Sequence, residues 1–105
     1  MNHIQPAELK ARLAQGHSPL LIDVREAWEH QTAHIENSTL IPMGQVAGRV
    51  CELDPEAEIV VICHHGGRSM QVAAFLEHRG FSKVYNLTGG VDAWARTVDP
   101  SMQLY

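Results

Sequence analysis

Cys63 ends an apolar run, Val60-Val61-Ile62, and is followed by His64-His65-Gly66-Gly67-Arg68-Ser69. A thiol, two imidazoles, adjacent glycines, a guanidinium and a hydroxyl in one short stretch are the parts of a cysteine nucleophile set in an anion-binding loop. A free cysteine, with a pKa of about 8.5, is only a few per cent thiolate at neutral pH, so such a role needs donors around the sulfur. Residues 59–62 have the length and β-branched content of a buried strand, and Val72, Phe75, Leu76 and Arg79 recur at helical spacing after Arg68. Cys63 therefore falls where a strand ends and a helix is about to begin. There the first backbone N–H groups of the helix lack an internal acceptor, and the helix dipole adds partial positive charge. Gly66 and Gly67 let successive amides turn inward around a thiolate or oxyanion. The competing reading, a small apolar residue packed at a strand end, suits a lone cysteine. The glycines, the cation and the helix start favour chemistry.

The elements that must hold this loop are read from periodicity and punctuation. Residues 6–13 read as a helix with Pro6 in its first turn, 20–24 as an apolar strand, and 26–31 as a short helix. A brief strand follows at 39–41, a helix over 44–53, the strand at 59–62, the helix after Arg68, a strand at 84–86 and a last helix over 91–95. This alternation predicts a parallel sheet covered by helices on both faces, with ligands bound beyond the carboxyl ends of the strands. Cys63 and Asp23 both lie at such ends and are expected to face one crevice. Asp23 reads either as a general base or as an ion-pair partner holding Arg68 or Arg25, and the second is favoured because an anion beside a thiolate disfavours it. Arg25 and Glu26 are read as a charge pair at a helix start. Trp28 and Trp94 are expected in the core, as is the packing of Cys51, whose alternative is a resolving thiol.

The 105 residues, 45% hydrophobic and without repeats or low-complexity tracts, predict one domain over 1–105. No run is long enough to span a bilayer, and the first residues lack the basic-then-apolar pattern of a secretory signal. Two cysteines without a Cys-x-x-Cys spacing suit a reducing compartment, so a cytoplasmic location and no membrane partner are expected. A formal charge of −4 and no basic run argue against nucleic acid, and an anionic substrate must be captured by local donors. His64 and His65 are adjacent, but neighbouring side chains diverge and a zinc site needs further converging ligands. No metal and no cofactor are expected. His34 reads as a turn or core residue, and His3, His17, His30 and His78 as surface or helix-flank residues.

The spacing Cys63-x-x-Gly66-x-Arg68-Ser69 resembles the active-site loop of the rhodanese sulfurtransferases. Leu21-Ile22-Asp23-Val24-Arg25-Glu26 with His34-Ile35 and Ile41-Pro42 is similar to the family's N-terminal signature, and Leu87-Thr88-Gly89-Gly90 with Trp94 to its C-terminal one. One departure lies at 33–38, where the family's Gly-His-Ile-Pro-Gly-Ala is replaced by Ala-His-Ile-Glu-Asn-Ser. Asn37 is the residue there that tolerates a left-handed backbone in place of glycine. The resemblance implies a small three-layer α/β domain with about five parallel strands and helices on both faces. It also implies a catalytic Cys63, substrate contacts from His64, His65, Gly66, Gly67, Arg68 and Ser69, and support from Asp23 and Arg25. The implied reaction moves a sulfane sulfur from thiosulfate or a similar donor, through a Cys63 persulfide, to a thiol or cyanide-type acceptor or a sulfur-acceptor protein. Phosphatases and arsenate reductases of the same fold carry one more residue between cysteine and arginine. They remain the lesser alternative, beside a persulfide carrier or interaction module.

Overall fold

The computed structural model describes residues 2–105. Its strands are β1 (Asn2–Ile4), β2 (Leu20–Asp23), β3 (Thr39–Leu40), β4 (Ile59–Ile62) and β5 (Val84–Leu87). Its helices are α1 (Pro6–Ala14), α2 (Ala27–Thr32), α3 (Val46–Arg49), α4 (Gly67–His78) and α5 (Gly90–Thr97), with 3-10 turns at Met43–Gln45 and Val50–Glu52 on either side of α3. The strands make one sheet in the order β1-β5-β4-β2-β3, and every pairing is parallel.

The central strand shows why the sequence folds this way. All four residues of β4 are buried, as expected of a parallel strand covered on both faces. Successive side chains go to opposite faces. Ile59, Val61 and Cys63 join Val46 and the α4 residues Val72, Ala73 and Leu76. Val60 and Ile62 join Leu9 of α1 with Val91 and Trp94 of α5. Each such aliphatic side chain taken fully out of water contributes about 1.5–3 kcal/mol, so the two half-cores hold the helices on their respective faces.

Register then decides what meets at the sheet's carboxyl edge. Asp23 pairs with Ile62, the residue before Cys63, and Val61 pairs with Asn86, which on its other side pairs with His3. Asp23, Cys63 and Asn86 are thereby gathered near one edge of the sheet.

The structure corrects several local expectations. Residues 2–4 form an edge strand that periodicity over three residues cannot reveal, because its pairing with β5 is long-range. The helix expected over 44–53 is broken into two 3-10 turns around a single α turn, with Gly44 and Gly48 inside it. Trp28 is 60% exposed rather than in the core, and Cys51 is exposed rather than packed. Asn37 does take a left-handed backbone, with φ of 69°.

Candidate active site

The loop from Cys63 to Ser69 is held from three sides. Gly66, with φ of +109°, is the N-cap of α4, and its left-handed turn aims its own N–H at the Cys63 Sγ, 3.0 Å away. The Ser69 Oγ lies 3.3 Å from the same sulfur. The first turn of α5 closes the second side: the Val91 and Asp92 N–H groups donate to the Cys63 and His64 carbonyls at 2.8 and 3.0 Å. Gly90 makes this approach feasible, because a Cβ there would overlap both carbonyl oxygens. Cys63 itself is 1% exposed.

The third side is a pair of ion pairs. Arg25 is fully buried and forks onto Asp23, with Nη2 to Oδ2 at 2.6 Å and Nε to Oδ1 at 2.9 Å, and it also donates to the Ala33 carbonyl at 2.6 Å. Arg25 thus pairs with Asp23 instead of forming the expected helix-start pair with Glu26. Glu26 is the N-cap of α2 in a capping box with Glu29, whose carboxylate accepts from the Glu26 N–H at 2.8 Å. The same carboxylate receives both terminal nitrogens of Arg68 at 2.7 Å. This bidentate contact, with the Glu26 amide assisting, holds Glu29 at about 2, well below the usual carboxylate range. Arg68 therefore ties α4 to α2 and keeps its charge beside the loop; 35% of its side chain is exposed.

Tyr105 joins the two pairs. Its hydroxyl accepts from the Arg25 Nη1 at 2.7 Å and donates to the Glu29 Oε1 at 3.1 Å, and burial pushes the phenol up, so it stays protonated to make that donation. The Tyr105 ring stacks on the His64 imidazole at 4.0 Å and meets Trp28 edge-on at 5.7 Å. Burial, with the neighbouring His65 adding, holds His64 below the usual histidine range.

His64 and His65 do not diverge as expected. Their rings lie 4.0 Å apart at 32°, and with Asp92 their ligand atoms fall within 4.8 Å of one another. Asp92 is engaged by Arg96 at 3.0 Å.

Of the residues singled out from sequence, the loop brings His64, Gly66 and Ser69 around Cys63, while Asp23 and Arg25 form the buried frame beside it. His65 faces outward with 69% of its side chain exposed. Sequence reasoning did not find Glu29, Asn86, Asp92 or Tyr105. The Glu26-x-x-Glu29 spacing is a legible capping signal, and Asn86 is the polar residue in an apolar strand; nothing local marks Tyr105. A cleft of about 820 Å³ between α1, α5 and residues 34–37 includes none of the loop residues.

Residues 5–97 match the rhodanese-like domain family. The chain is 43% identical over 89 residues to "Rhodanese-like/PpiC domain-containing protein 12, chloroplastic" of Arabidopsis thaliana, covering 81% of this chain and 30% of the plant protein's length. It is 36% identical to "Thiosulfate sulfurtransferase GlpE" of Pseudomonas savastanoi over 90% of this chain and 87% of that one. It is 39% identical to "Putative sulfur carrier protein YrkF" of Bacillus subtilis over 81% of this chain and 46% of that one. The crystal structure of a rhodanese-like domain protein from Staphylococcus aureus superposes with a TM-score of 0.86 at 28% identity, covering 100% and 99% of the two chains. With its parallel sheet, its cysteine loop and these relatives, the chain belongs to the rhodanese-like family of sulfurtransferases.

Proposed function

We propose that this chain carries a sulfane sulfur on Cys63. The Cys63 thiolate attacks the outer sulfur of thiosulfate or a similar donor; the donor's S–S bond breaks and sulfite leaves with its electron pair, so Cys63 becomes a persulfide. A thiol or cyanide-type acceptor then attacks the outer persulfide sulfur, and Cys63 departs as thiolate, closing a two-step covalent cycle. The observation that carries this reading is the Gly66 N–H at 3.0 Å from the Cys63 Sγ at the start of α4, a donor and a helix dipole both aimed at one sulfur. His64, His65, Gly67 and Ser69 line the donor's approach, and Arg68 supplies positive charge for its sulfonate end. Four residues between Cys63 and Arg68 suit a sulfur anion better than a phosphoryl group with three equatorial oxygens, which ranks dephosphorylation and arsenate reduction lower. Two cysteines in no disulfide pattern favour a cytoplasmic setting. Among the described residues no helix is long and apolar enough to cross a membrane.

A second reading is a persulfide carrier that hands sulfur to a partner protein. It is favoured by the printed name of the Bacillus subtilis relative. One experiment separates them. Reduced protein is incubated with thiosulfate, weighed intact, then treated with cyanide and weighed again, with Cys63→Ser as control. The expected result is a gain of one sulfur atom that cyanide removes and that Cys63→Ser does not show. No gain overturns thiosulfate as donor, and a gain that cyanide and small thiols leave in place favours the carrier.

A further inference from the structure

Behind the nucleophile runs a buried polar chain that the sulfur-transfer reading does not use. Asn86 is 2% exposed in β5, between Val61 of β4 and His3 of β1, and a leucine would fill its place without polar atoms to satisfy. Its carboxamide meets two partners: Oδ1 receives the Ser69 hydroxyl, and Nδ2 faces the His3 Nδ1 at 3.4 Å. Ser69 is fully buried, lies 3.3 Å from the Cys63 Sγ and is 3.1 Å from the Gly66 carbonyl.

A serine hydroxyl has one proton and two lone pairs. Three acceptors surround that of Ser69: the Asn86 Oδ1, the Gly66 carbonyl and the Cys63 sulfur. The Ser69 hydroxyl donates to the Asn86 Oδ1, and a proton given to Asn86 is not given to the sulfur. What then faces Cys63 is a lone pair, which accepts from the thiol S–H and offers nothing to a thiolate. For Ser69 to stabilise the anion, its proton must leave Asn86 and turn to the sulfur.

We propose that Asn86 is a positioning residue that competes with Cys63 for the Ser69 proton and so restrains the resting nucleophile. The inference rests on Cys63 being the nucleophile of the proposed transfer. The amide of Gly66 favours the thiolate, and the Asn86–Ser69 pair opposes it. Asn86 touches neither donor nor acceptor and acts only through Ser69.

The test reads thiolate reactivity without any sulfur donor, so it can fail while persulfide formation succeeds, and the reverse. The rate of iodoacetamide alkylation of Cys63 at neutral pH is measured for the wild type, Asn86→Leu, Ser69→Ala and the double variant, with melting temperatures as a check on folding. Asn86→Leu removes one of the two oxygen acceptors that compete with the sulfur for the Ser69 proton and is expected to speed alkylation about 3- to 10-fold, the factor one ordinary hydrogen bond carries. In the Ser69→Ala background the same substitution is expected to do nothing. An unchanged or slower rate in Asn86→Leu overturns the proposal, as does an acceleration that persists without Ser69, which would make Asn86 a packing residue. If Asn86→Leu does not fold, His3→Ala on the edge strand decides. It releases the carboxamide from its second partner and should raise the rate about 2-fold; no change refutes the competition.

Discussion

Glu29→Gln removes one charge while keeping the side chain's shape, and the structure fixes what it should cost. The Glu29 carboxylate holds both terminal nitrogens of Arg68 at 2.7 Å and accepts from the Glu26 N–H at 2.8 Å and the Tyr105 hydroxyl at 3.1 Å. Its pKa falls from an ordinary 4.5 to about 2, chiefly through the Arg68 contact and against the cost of burial. At about 1.4 kcal/mol per unit this amounts to roughly 3 kcal/mol, and the solvent that reaches the partly exposed Arg68 reduces it to about 2 kcal/mol. For a domain of this size that corresponds to a melting temperature lower by about 8–12 °C at neutral pH. The sign with pH follows from linkage. A carboxyl group whose folded pKa lies below its unfolded one stabilises the fold above the unfolded value, and the stabilisation is lost as pH falls through the folded value. The gap between wild type and Glu29→Gln should therefore be full above about pH 5 and shrink steadily toward pH 2. Calorimetry across that range checks it. Equal melting temperatures at neutral pH, or a gap that does not change with acid, would refute the ion-pair account of Glu29 and Arg68.

Two further outcomes are expected. Gly90→Ala places a Cβ against the carbonyls of Cys63 and His64 at a backbone with φ of +61°, so it should destabilise the fold by about 2–4 kcal/mol and slow persulfide formation; denaturant unfolding that matches wild type would show that α5 does not brace the loop. Tyr105→Phe keeps the stack on His64 but loses the hydroxyl between Arg25 and Glu29, and should lower stability by about 1–2 kcal/mol while leaving the His64 imidazole NMR signals in place; displaced His64 signals would mean that the hydroxyl, not the ring, positions His64.

The parts of the fold whose cause is local are legible in the residues alone. Ile59 to Ile62 is β-branched and apolar throughout, so it must be a strand buried on both faces, and the glycines after Cys63 must turn the chain into α4 with an amide facing back. Asn37 likewise announces its left-handed turn by residue type. The family resemblance rests on the same short-range spacing, and it survives in the fold because α/β alternation dictates a parallel sheet.

Which side chains meet depends on the packing of distant segments. Arg68 and Glu29 are 39 residues apart, Tyr105 and Glu29 are 76 apart, and Ser69 and Asn86 are 17 apart. These contacts arise from strand order and helix placement: β4 lies between β2 and β5, which brings α2 and the Asn86 level of β5 to the two sides of one loop. Periodicity carries no information about such partners, because any exposed-looking glutamate or arginine satisfies the same pattern. The edge strand β1 was invisible for the same reason, since three residues form a strand there only because β5 presents its free edge. Trp28, read as core because single aromatics at helical spacing usually pack, stands 60% exposed, while its neighbour Glu29 on the same short helix is buried against Arg68.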